Sequence, residues 1–371
     1  MNFDELTKLH LSGNIVLMSR KLILCFDGTN HKYASTNTNV VKLYAMLDRS
    51  GEDQLAYYQP GIGTRLPEGT WGRLKRSVLR KLDLSIAFLL KDHVCNGYRF
   101  LMRYYRPGDE IYIFGFSRGA YTARVLAAML YKVGLLSEGN EELITFAWDM
   151  YKSESSYRTS FSFRRTFSRK VKVRFLGLWD TVSSIGWMWD PQHLQYTRKN
   201  RIVEVVRHAV ALDERRAYFV QNLWSDIPAE TKGQDVLQVW FPGMHCDVGG
   251  GYAEAEAGLS KISLKWMVEQ AQAHGLRFDP ARKQATLPRS SSEKQAAPDA
   301  TARMHESLSG WWWLVEFLPK RIKDPARGYR RRWILHRGQP RFVSPKAIIH
   351  ESVFERMNKL PDYRPANLPP S

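Results

Sequence analysis

A serine flanked by glycines stands where an apolar, strand-like stretch gives way to a helix-like one. Residues 111–134 read IYIFGFSRGAYTARVLAAMLYKVG, and residues 115–119 within them follow the pattern GxSxG. Such a serine can act as a nucleophile at a sharp strand-to-helix turn, where small residues two positions before and after it let the turn approach its neighbours. Because the pattern is short enough to occur by chance, the alternative is an ordinary turn in which Ser117 only caps the helix.

Two later strand ends carry the partners that a nucleophilic serine requires. A serine hydroxyl is a poor nucleophile at its ordinary pKa, so it needs a base and an acid that orients the base. Asp180 follows the apolar stretch VKVRFLGLW, and His245 follows DVLQVWFPGM in a turn that leads into three glycines. The chain order serine, aspartate, histidine is that of α/β-hydrolases. The sequence therefore predicts Ser117 as nucleophile, Asp180 as orienting acid and His245 as base.

Other titratable residues compete for these roles. His350 follows the apolar residues KAII and ranks second as base. We interpret His208, in the apolar stretch IVEVVRHAVALDERRAYF, as a structural histidine on a helix. Asp213 and Asp247 are typical of loop or helix-end stabilisers, so neither is expected to replace Asp180.

The first apolar stretch ends in FDGTN, which allows two interpretations. Asp27 could be an aspartyl nucleophile of the haloacid dehalogenase type, but that pattern needs a second aspartate where this chain has Thr29. The loop fits better as half of an oxyanion hole, with the N–H of Gly28 or Thr29 opposite the N–H of Arg118 at the helix start. This scheme requires neither a metal nor an organic cofactor.

The elements that must position these residues follow from hydrophobic patterning. Residues 21–26, 110–114, 171–179 and 235–241 are short, apolar and followed by turn chemistry, which predicts buried strands. Residues 85–105, 122–133 and 202–212 are interpreted as helices. Strands alternating with helices predict an α/β fold of the α/β-hydrolase type, with a mostly parallel central sheet and helices on both faces.

The organisation along the chain predicts one catalytic core with extensions. We expect an N-terminal extension over residues 1–20, the core over 21–280, and a C-terminal segment over 281–371 that packs on the core as a partly helical cap or extension. Residues 279–301 are rich in Pro, Ser, Lys and Ala, which indicates a mobile surface loop.

Charge and aromatic residues bear on the partners. The 371-residue chain has 55 Lys and Arg against 37 Asp and Glu, a formal charge of +18, which favours anionic surfaces such as phospholipid headgroups or nucleic acid. No nucleic-acid-binding motif is recognised, so a membrane surface is the expected contact. Trp311–Trp313, followed by a basic stretch, suit an interfacial segment, and the alternative is that these tryptophans pack on the core.

Cysteine usage and the absence of export signals bear on the compartment. Cys25, Cys95 and Cys246 are widely spaced and form no CxxC, so neither a disulfide framework nor a zinc site is expected. The N-terminal residues lack the pattern of a secretory signal peptide, and no stretch is long and apolar enough to span a bilayer. We therefore expect synthesis in the cytoplasm.

The ordered motifs resemble a known family. FDGTN, GFSRGAYTAR, FLGLWDTVSSIG, HAVALDERRAYF and FPGMHCDVGGGY, within residues 22–252, are similar to the α/β-hydrolase domains that include the type VI secretion phospholipase effectors. Weaker similarity continues through HESLSGWWWLVEFLP and IHESVFERM. By motif, the resemblance implies a serine esterase with Ser117, Asp180 and His245 as its catalytic residues.

The resemblance also implies a substrate and a route. Characterised members hydrolyse phospholipid acyl esters, so it implies a phospholipase A-like antibacterial effector, export by a type VI secretion apparatus, and an immunity protein as a partner. The secreted effectors are often longer than this chain, with added membrane-engaging or delivery segments. A carboxylesterase that acts on other esters, and an inactive hydrolase-fold binding protein, are the alternatives.

Overall fold

Seven strands form the central sheet of the computed structural model, which describes residues 19–28, 36–61, 75–153, 157–182, 185–187, 190–192, 194–310, 313, 316, 317, 319–324 and 330–369. The strands are β1 Lys21–Phe26, β2 Gln54–Gln59, β3 Glu110–Phe116, β4 Val173–Trp179, β5 Val203–Ala211, β6 Asp235–Phe241 and β7 Ile348–Ile349. Their order is β2-β1-β3-β4-β5-β6-β7, and every neighbouring pair is parallel. The predicted α/β class is confirmed.

The strand order places a switch point between β1 and β3. The chain leaves β1 to form β2 on one side, and then crosses β1 to form β3 on the other. The loops after β1 and β3 therefore diverge, and such a crevice at the carboxyl ends of parallel strands is where α/β sheets bind their ligands. Ser117 follows β3 directly at this point.

Both faces of the sheet are covered, because side chains alternate along each strand between two cores. In β1, Leu22, Leu24 and Phe26 belong to one hydrophobic cluster, whereas Ile23 and Cys25 belong to the other. A strand buried on both faces has a nearly continuous apolar sequence, as β1 does.

The helices form the two outer layers and the connections. They are α1 Asn39–Met46, α2 Lys75–Tyr104, α3 Arg118–Val133, α4 Leu143–Lys152, α5 Tyr157–Phe167, α6 Pro228–Thr231, α7 His245–Gly249, α8 Gly258–Ala273, α9 Pro280–Thr286 and α10 Glu351–Lys359. Residues of α2, α3 and α4 pack in the first core, and residues of α1 and α8 pack in the second. Among the described residues, three short antiparallel pairs lie outside the sheet: Leu135–Leu136 with Ser168–Arg169, Ile185–Trp187 with Asp190–Gln192, and Lys320–Asp324 with Arg330–Ile334.

The C-terminal segment packs on the sheet edge. Strand β7 pairs with β6, and a third hydrophobic cluster joins Val210 and Trp240 of the sheet to Val343, Val353 and Tyr363. The described part of the C-terminal segment therefore contributes an edge strand and part of a hydrophobic cluster on this side of the sheet.

Two sequence interpretations need correction. Residues 202–212, interpreted as a helix, contain strand β5. The sequence VEVVRHAVA is rich in β-branched residues, which favour a strand. Because the strand is buried on both faces, its hydrophobic periodicity alone does not distinguish it from a helix. Residues 279–301, expected to be a loop, begin with helix α9, whose first turn is capped by the Asp279 side chain bonded to Arg282 N. All four predicted strands are confirmed, two of them with the same bounds.

Candidate active site

Ser117 lies in a strained turn between β3 and α3. Its backbone has φ 58° and ψ −120°, an unusual conformation for a residue with a side chain. A Cβ on Gly115 would lie 2.5 Å from Gly119 O, and a Cβ on Gly119 would lie 2.1 Å from Phe26 O. Both glycines of GxSxG are therefore required sterically, because the turn is packed against itself and against the end of β1.

His245 joins Ser117 to Asp180. Its Nε2 lies 2.8 Å from Ser117 Oγ, and its Nδ1 lies 2.5 Å from Asp180 Oδ2. Because a carboxylate only accepts hydrogen bonds, Nδ1 carries the proton, and Nε2 of the neutral ring can accept the Ser117 hydroxyl. All three side chains are buried. The structure thus brings together the three residues that the sequence singled out.

Asp180 is held by four donors at the end of β4. Besides His245, its carboxylate accepts from Ala211 N at 3.0 Å and from Arg341 Nη1 and Nη2 at 2.6 and 3.0 Å. Burial acts to raise the pKa of Asp180, but the Arg341 guanidinium and the bond from His245 outweigh it, so this pKa lies well below its usual range. The carboxylate is therefore ionised at neutral pH.

Two aromatic rings enclose the imidazole. The ring centroids of Phe116 and Phe219 lie 4.6 and 4.7 Å from that of His245. Burial lowers the pKa of His245, and the hydrogen bond to Asp180 offsets only part of this effect. The ring is thus kept in the neutral form that can accept a proton.

Glu214 supports His245 through the backbone. Its fully buried carboxylate accepts from His245 N at 3.2 Å and forms an ion pair with Arg216 at 2.7 Å. The Arg216 guanidinium lies 3.7 Å from the centre of the Phe219 ring. Sequence reasoning missed Glu214 and Arg341. Glu214 adjoins the candidate Asp213 in sequence, whereas Arg341 lies 161 residues from Asp180 and no motif marks it.

The loop after β1 lies beside the turn, as the close approach of Gly119 to Phe26 requires. Gly28 N donates to Asp27 Oδ1 at 2.7 Å, and the same carboxylate accepts from Thr38 Oγ1 and Tyr58 Oη. Thr29 lies outside the described residues. Asp27 thus fixes the start of this loop with several hydrogen bonds.

The competing histidines contact other groups. His208 lies within β5, where Thr181 N donates to its Nε2 at 3.2 Å and its Nδ1 contacts Gln238 Oε1 at 3.2 Å. His350 caps α10 and stacks on Phe241 with ring centroids 4.4 Å apart. Neither histidine is hydrogen-bonded to Ser117 in the described part of the chain.

The competing aspartates stabilise loops, as their sequence context indicates. Asp213 Oδ2 accepts from Gly243 N at 2.6 Å and from Tyr363 Oη at 2.8 Å. Asp247 accepts from Met244 N at 3.0 Å and pairs with His305 Nδ1 at 2.7 Å. Both carboxylates therefore tie the turn before His245 to the C-terminal part of the chain.

The aromatic segment near residue 313 is described only in part. Trp311 and Trp312 lie outside the described residues, whereas Trp313 is 38% exposed. Phe317 and Trp333 are 59% and 62% exposed. Within the described ranges, no helix is long and apolar enough to cross a membrane, and no group of three or more His, Cys, Asp or Glu side chains could hold a metal ion.

The fold and these contacts define an α/β protein with a hydrogen-bonded serine, histidine and carboxylate at the carboxyl edge of a parallel sheet. The chain belongs to the family described as "T6SS, Phospholipase effector Tle1-like, catalytic domain", whose model matches residues 20–270. The resemblance drawn from the motifs is confirmed. Membership supports a hydrolase of the lipase or phospholipase type.

Individual proteins resemble the chain at lower levels of identity. The uncharacterized protein YEL023C of Saccharomyces cerevisiae is 27% identical over 94% of this chain and 80% of its own length. An uncharacterized protein from Pseudomonas aeruginosa has a solved structure that matches 75% of this chain with 19% identity and a TM-score of 0.43. The Tle1 effector bound to the VgrG spike of the type 6 secretion system matches 65% with 20% identity and a TM-score of 0.38. This chain spans 49% and 52% of those two solved chains.

Proposed function

We propose that the protein is a serine esterase that hydrolyses acyl ester bonds of phospholipids. The observation that carries the proposal is the continuous hydrogen-bonded path from Ser117 through His245 to Asp180. Each member comes directly after a strand of the sheet or opens the next helix, so the rigid sheet edge holds all three in place. Such placement of nucleophile, base and orienting acid is what acyl transfer requires.

Acyl transfer proceeds in two steps in this scheme. His245 Nε2 takes the Ser117 proton while Oγ attacks the ester carbonyl carbon, and the tetrahedral intermediate then expels the lysolipid alkoxide, which takes that proton from His245. Water, activated by the same imidazole, next attacks the acyl-enzyme and releases the fatty acid. Asp180 stabilises the imidazolium at each step and stays ionised throughout.

The oxyanion of the intermediate needs donors opposite the nucleophile. Arg118 is the first residue of α3, so its N–H has no acceptor within the helix and lies at the positive end of the helix dipole. We assign it as the first donor. Gly28 is the proposed second donor. When substrate binds, the hydrogen bond from Gly28 N to Asp27 Oδ1 breaks, and the same N–H donates to the oxyanion. Thr29 N–H is the alternative from the same loop.

The Arg118 side chain favours an anionic ester over a neutral one. It is partly buried, and no acidic side chain among the described residues forms an ion pair with it. Burial lowers the pKa of Arg118 to about 10, which leaves a charged but incompletely solvated guanidinium one residue from the nucleophile. A phosphodiester supplies the anion that such a cation binds well.

The exposed aromatic side chains Phe317 and Trp333 suit contact with a lipid surface. They flank or lie on the pair of strands Lys320–Asp324 and Arg330–Ile334, whose sequence is strongly basic. Aromatic rings bind at the headgroup boundary, and cations favour anionic lipid. We propose that this segment makes peripheral contact with an anionic membrane. From family membership we also propose export by a type VI secretion apparatus, with an immunity protein as a partner.

A panel of lipids tests the substrate. Purified protein is incubated with vesicles of phosphatidylglycerol, phosphatidylethanolamine and phosphatidylcholine, and with triacylglycerol and soluble nitrophenyl esters, with Ser117→Ala as control. We expect release of fatty acid and lysolipid from the phospholipids and its loss in Ser117→Ala. Hydrolysis of neutral esters alone would indicate a carboxylesterase instead, and no hydrolysis of any ester would indicate a binding protein.

A further inference from the structure

Arg341 pairs with Asp180 from the segment that follows the residues matched by the family. Arg341 is 4% exposed, and its guanidinium meets the carboxylate with two parallel hydrogen bonds, Nη1 to Oδ1 at 2.6 Å and Nη2 to Oδ2 at 3.0 Å. Such a bidentate pair fixes the plane of the carboxylate as well as its position. Because Oδ2 is also the atom bonded to His245, this plane determines where the imidazole is held.

The guanidinium is itself locked in place. Nη1 donates to Ala211 O at 2.9 Å and Nε donates to Phe219 O at 3.0 Å, so donors on both sides of the group are engaged. Asn367 Nδ2 bonds both Arg341 O and Leu212 O, which ties the C-terminal backbone to the end of β5. The Arg341 guanidinium therefore has a fixed position and supports the Asp180 carboxylate rigidly, unlike a mobile charge on the surface.

The guanidinium also changes the electrostatics at His245. Among the described residues, the charged groups that act most on the imidazole are Asp180 and Glu214, which stabilise a positive charge on it, and Arg216, which opposes one. Asp247, on the same helix, is paired with His305. Arg341 compensates the charge of Asp180 at contact distance, so it reduces the stabilisation that Asp180 gives to the imidazolium.

We propose that Arg341 is a positioning residue of the catalytic site: it fixes the Asp180 carboxylate towards His245 and compensates the negative charge of this carboxylate. The inference rests on the proposed esterase function. It means that the catalytic unit includes the C-terminal segment, and not only residues 20–270.

Two substitutions and a matched control test the role. Arg341→Met removes the positive charge. Arg341→Lys keeps a positive charge but cannot form the two parallel hydrogen bonds to Asp180. Arg356→Met is the control, because Arg356 is another buried arginine of the C-terminal segment but donates to Ala300 O and Ala302 O, away from Asp180. The kcat and kcat/KM for a soluble nitrophenyl ester are measured from pH 4.5 to 9, with folding checked by circular dichroism.

Removing the cation leaves the Asp180 charge uncompensated, so the imidazolium is stabilised and the acid limb of kcat/KM moves to higher pH. For Arg341→Met we expect this limb to rise by about one pH unit and kcat to fall at least about ten-fold, a small part of the cost of losing the orienting acid itself. For Arg341→Lys we expect a lower kcat with the acid limb near its wild-type position. For Arg356→Met we expect the wild-type acid limb, whatever the loss of stability.

Several results would overturn the proposal. They are a wild-type kcat and acid limb in Arg341→Met, a shift of equal size in Arg356→Met, or, if Arg341→Met fails to fold, a wild-type kcat in Arg341→Lys. Failure of the esterase function itself is recognised separately, because either the wild type would then hydrolyse no ester or Ser117→Ala would hydrolyse the ester as fast as the wild type.

Discussion

The Phe116 ring lies against the His245 imidazole, and Gly249 provides the space for it. A Cβ at position 249 would lie 1.9 Å from the Phe116 ring. Gly249→Ala must therefore displace either the ring or the helix that begins at His245. We expect kcat for a soluble ester to fall up to about 100-fold, because displacements near 1 Å in an active site have costs of that size.

Gly139→Ala is the control for this substitution. Gly139 has a positive φ, 86°, which Gly249 lacks, and its Cβ would meet nothing within 4 Å. It should lose stability through backbone strain while kcat stays at the wild-type value. Equal kcat values in the two variants would show that the fit of Phe116 against His245 does not matter.

The Arg118 side chain should discriminate between anionic and neutral substrates. Arg118→Gln retains the backbone N–H but removes the cation that is without an ion-pair partner among the described residues. We expect kcat/KM for phosphatidylglycerol to fall about ten-fold or more, the value of one charge-assisted hydrogen bond, and kcat/KM for a neutral nitrophenyl ester to change little. An equal loss on both substrates would exclude recognition of the phosphate by this residue.

His208 should make the free energy of unfolding depend on pH. Burial and the Arg124 guanidinium lower the pKa of His208 to about 3, whereas an unfolded histidine has a pKa of about 6.5. As pH falls below about 6.5, the unfolded chain takes up a proton that the folded chain does not, so stability is lost by about 1.4 kcal/mol per pH unit for each such group.

Urea unfolding between pH 4.5 and 6.5 measures this dependence. His245, whose pKa burial also lowers, adds to the slope. In His208→Gln, the introduced side chain can still accept a hydrogen bond from Thr181 N. In this variant the change of the unfolding free energy with pH should be smaller by about 1.4 kcal/mol per pH unit, which corresponds to one proton. An unchanged slope would show that His208 is not the neutral, buried group that its contacts indicate.

The exposed aromatics should contribute to membrane binding. The double variant Phe317→Ala/Trp333→Ala should bind vesicles of phosphatidylglycerol more weakly in flotation, and added salt should weaken the wild-type binding. Phe146→Ala is the control, because Phe146 is 55% exposed on α4, apart from the basic strand pair. Unchanged binding in the double variant would remove the interfacial role of this segment.

Much of the candidate site could be predicted because Ser117, Asp180 and His245 each follow a strand with a clear apolar pattern. In a parallel sheet the carboxyl ends of such strands meet at one edge, so residues far apart in sequence are brought together by the fold class alone. The flanking glycines carried the same information, since a side chain at Gly119 would overlap the end of β1.

The supporting residues could not be predicted in this way. Arg341 reaches Asp180 from an irregular segment, where no periodic pattern constrains its position. Hydrophobic patterning predicts a helix where strand β5 lies, because a strand buried on both faces lacks the alternation that identifies a half-exposed one. The contacts of His208 with Thr181 N and Gln238 Oε1 fit the predicted structural role, but the residue lies on a strand and not on a helix.

The central claim is that Ser117 is the nucleophile. The most direct measurement is labelling of the purified, folded protein by a fluorophosphonate probe, with the modified peptide identified by mass spectrometry and ester hydrolysis followed in parallel. We predict a single label on Ser117, loss of hydrolysis in proportion to labelling, and neither label nor activity in Ser117→Ala, since loss of the nucleophile costs several powers of ten in rate. Hydrolysis retained in Ser117→Ala, or labelling at another residue, would contradict the account.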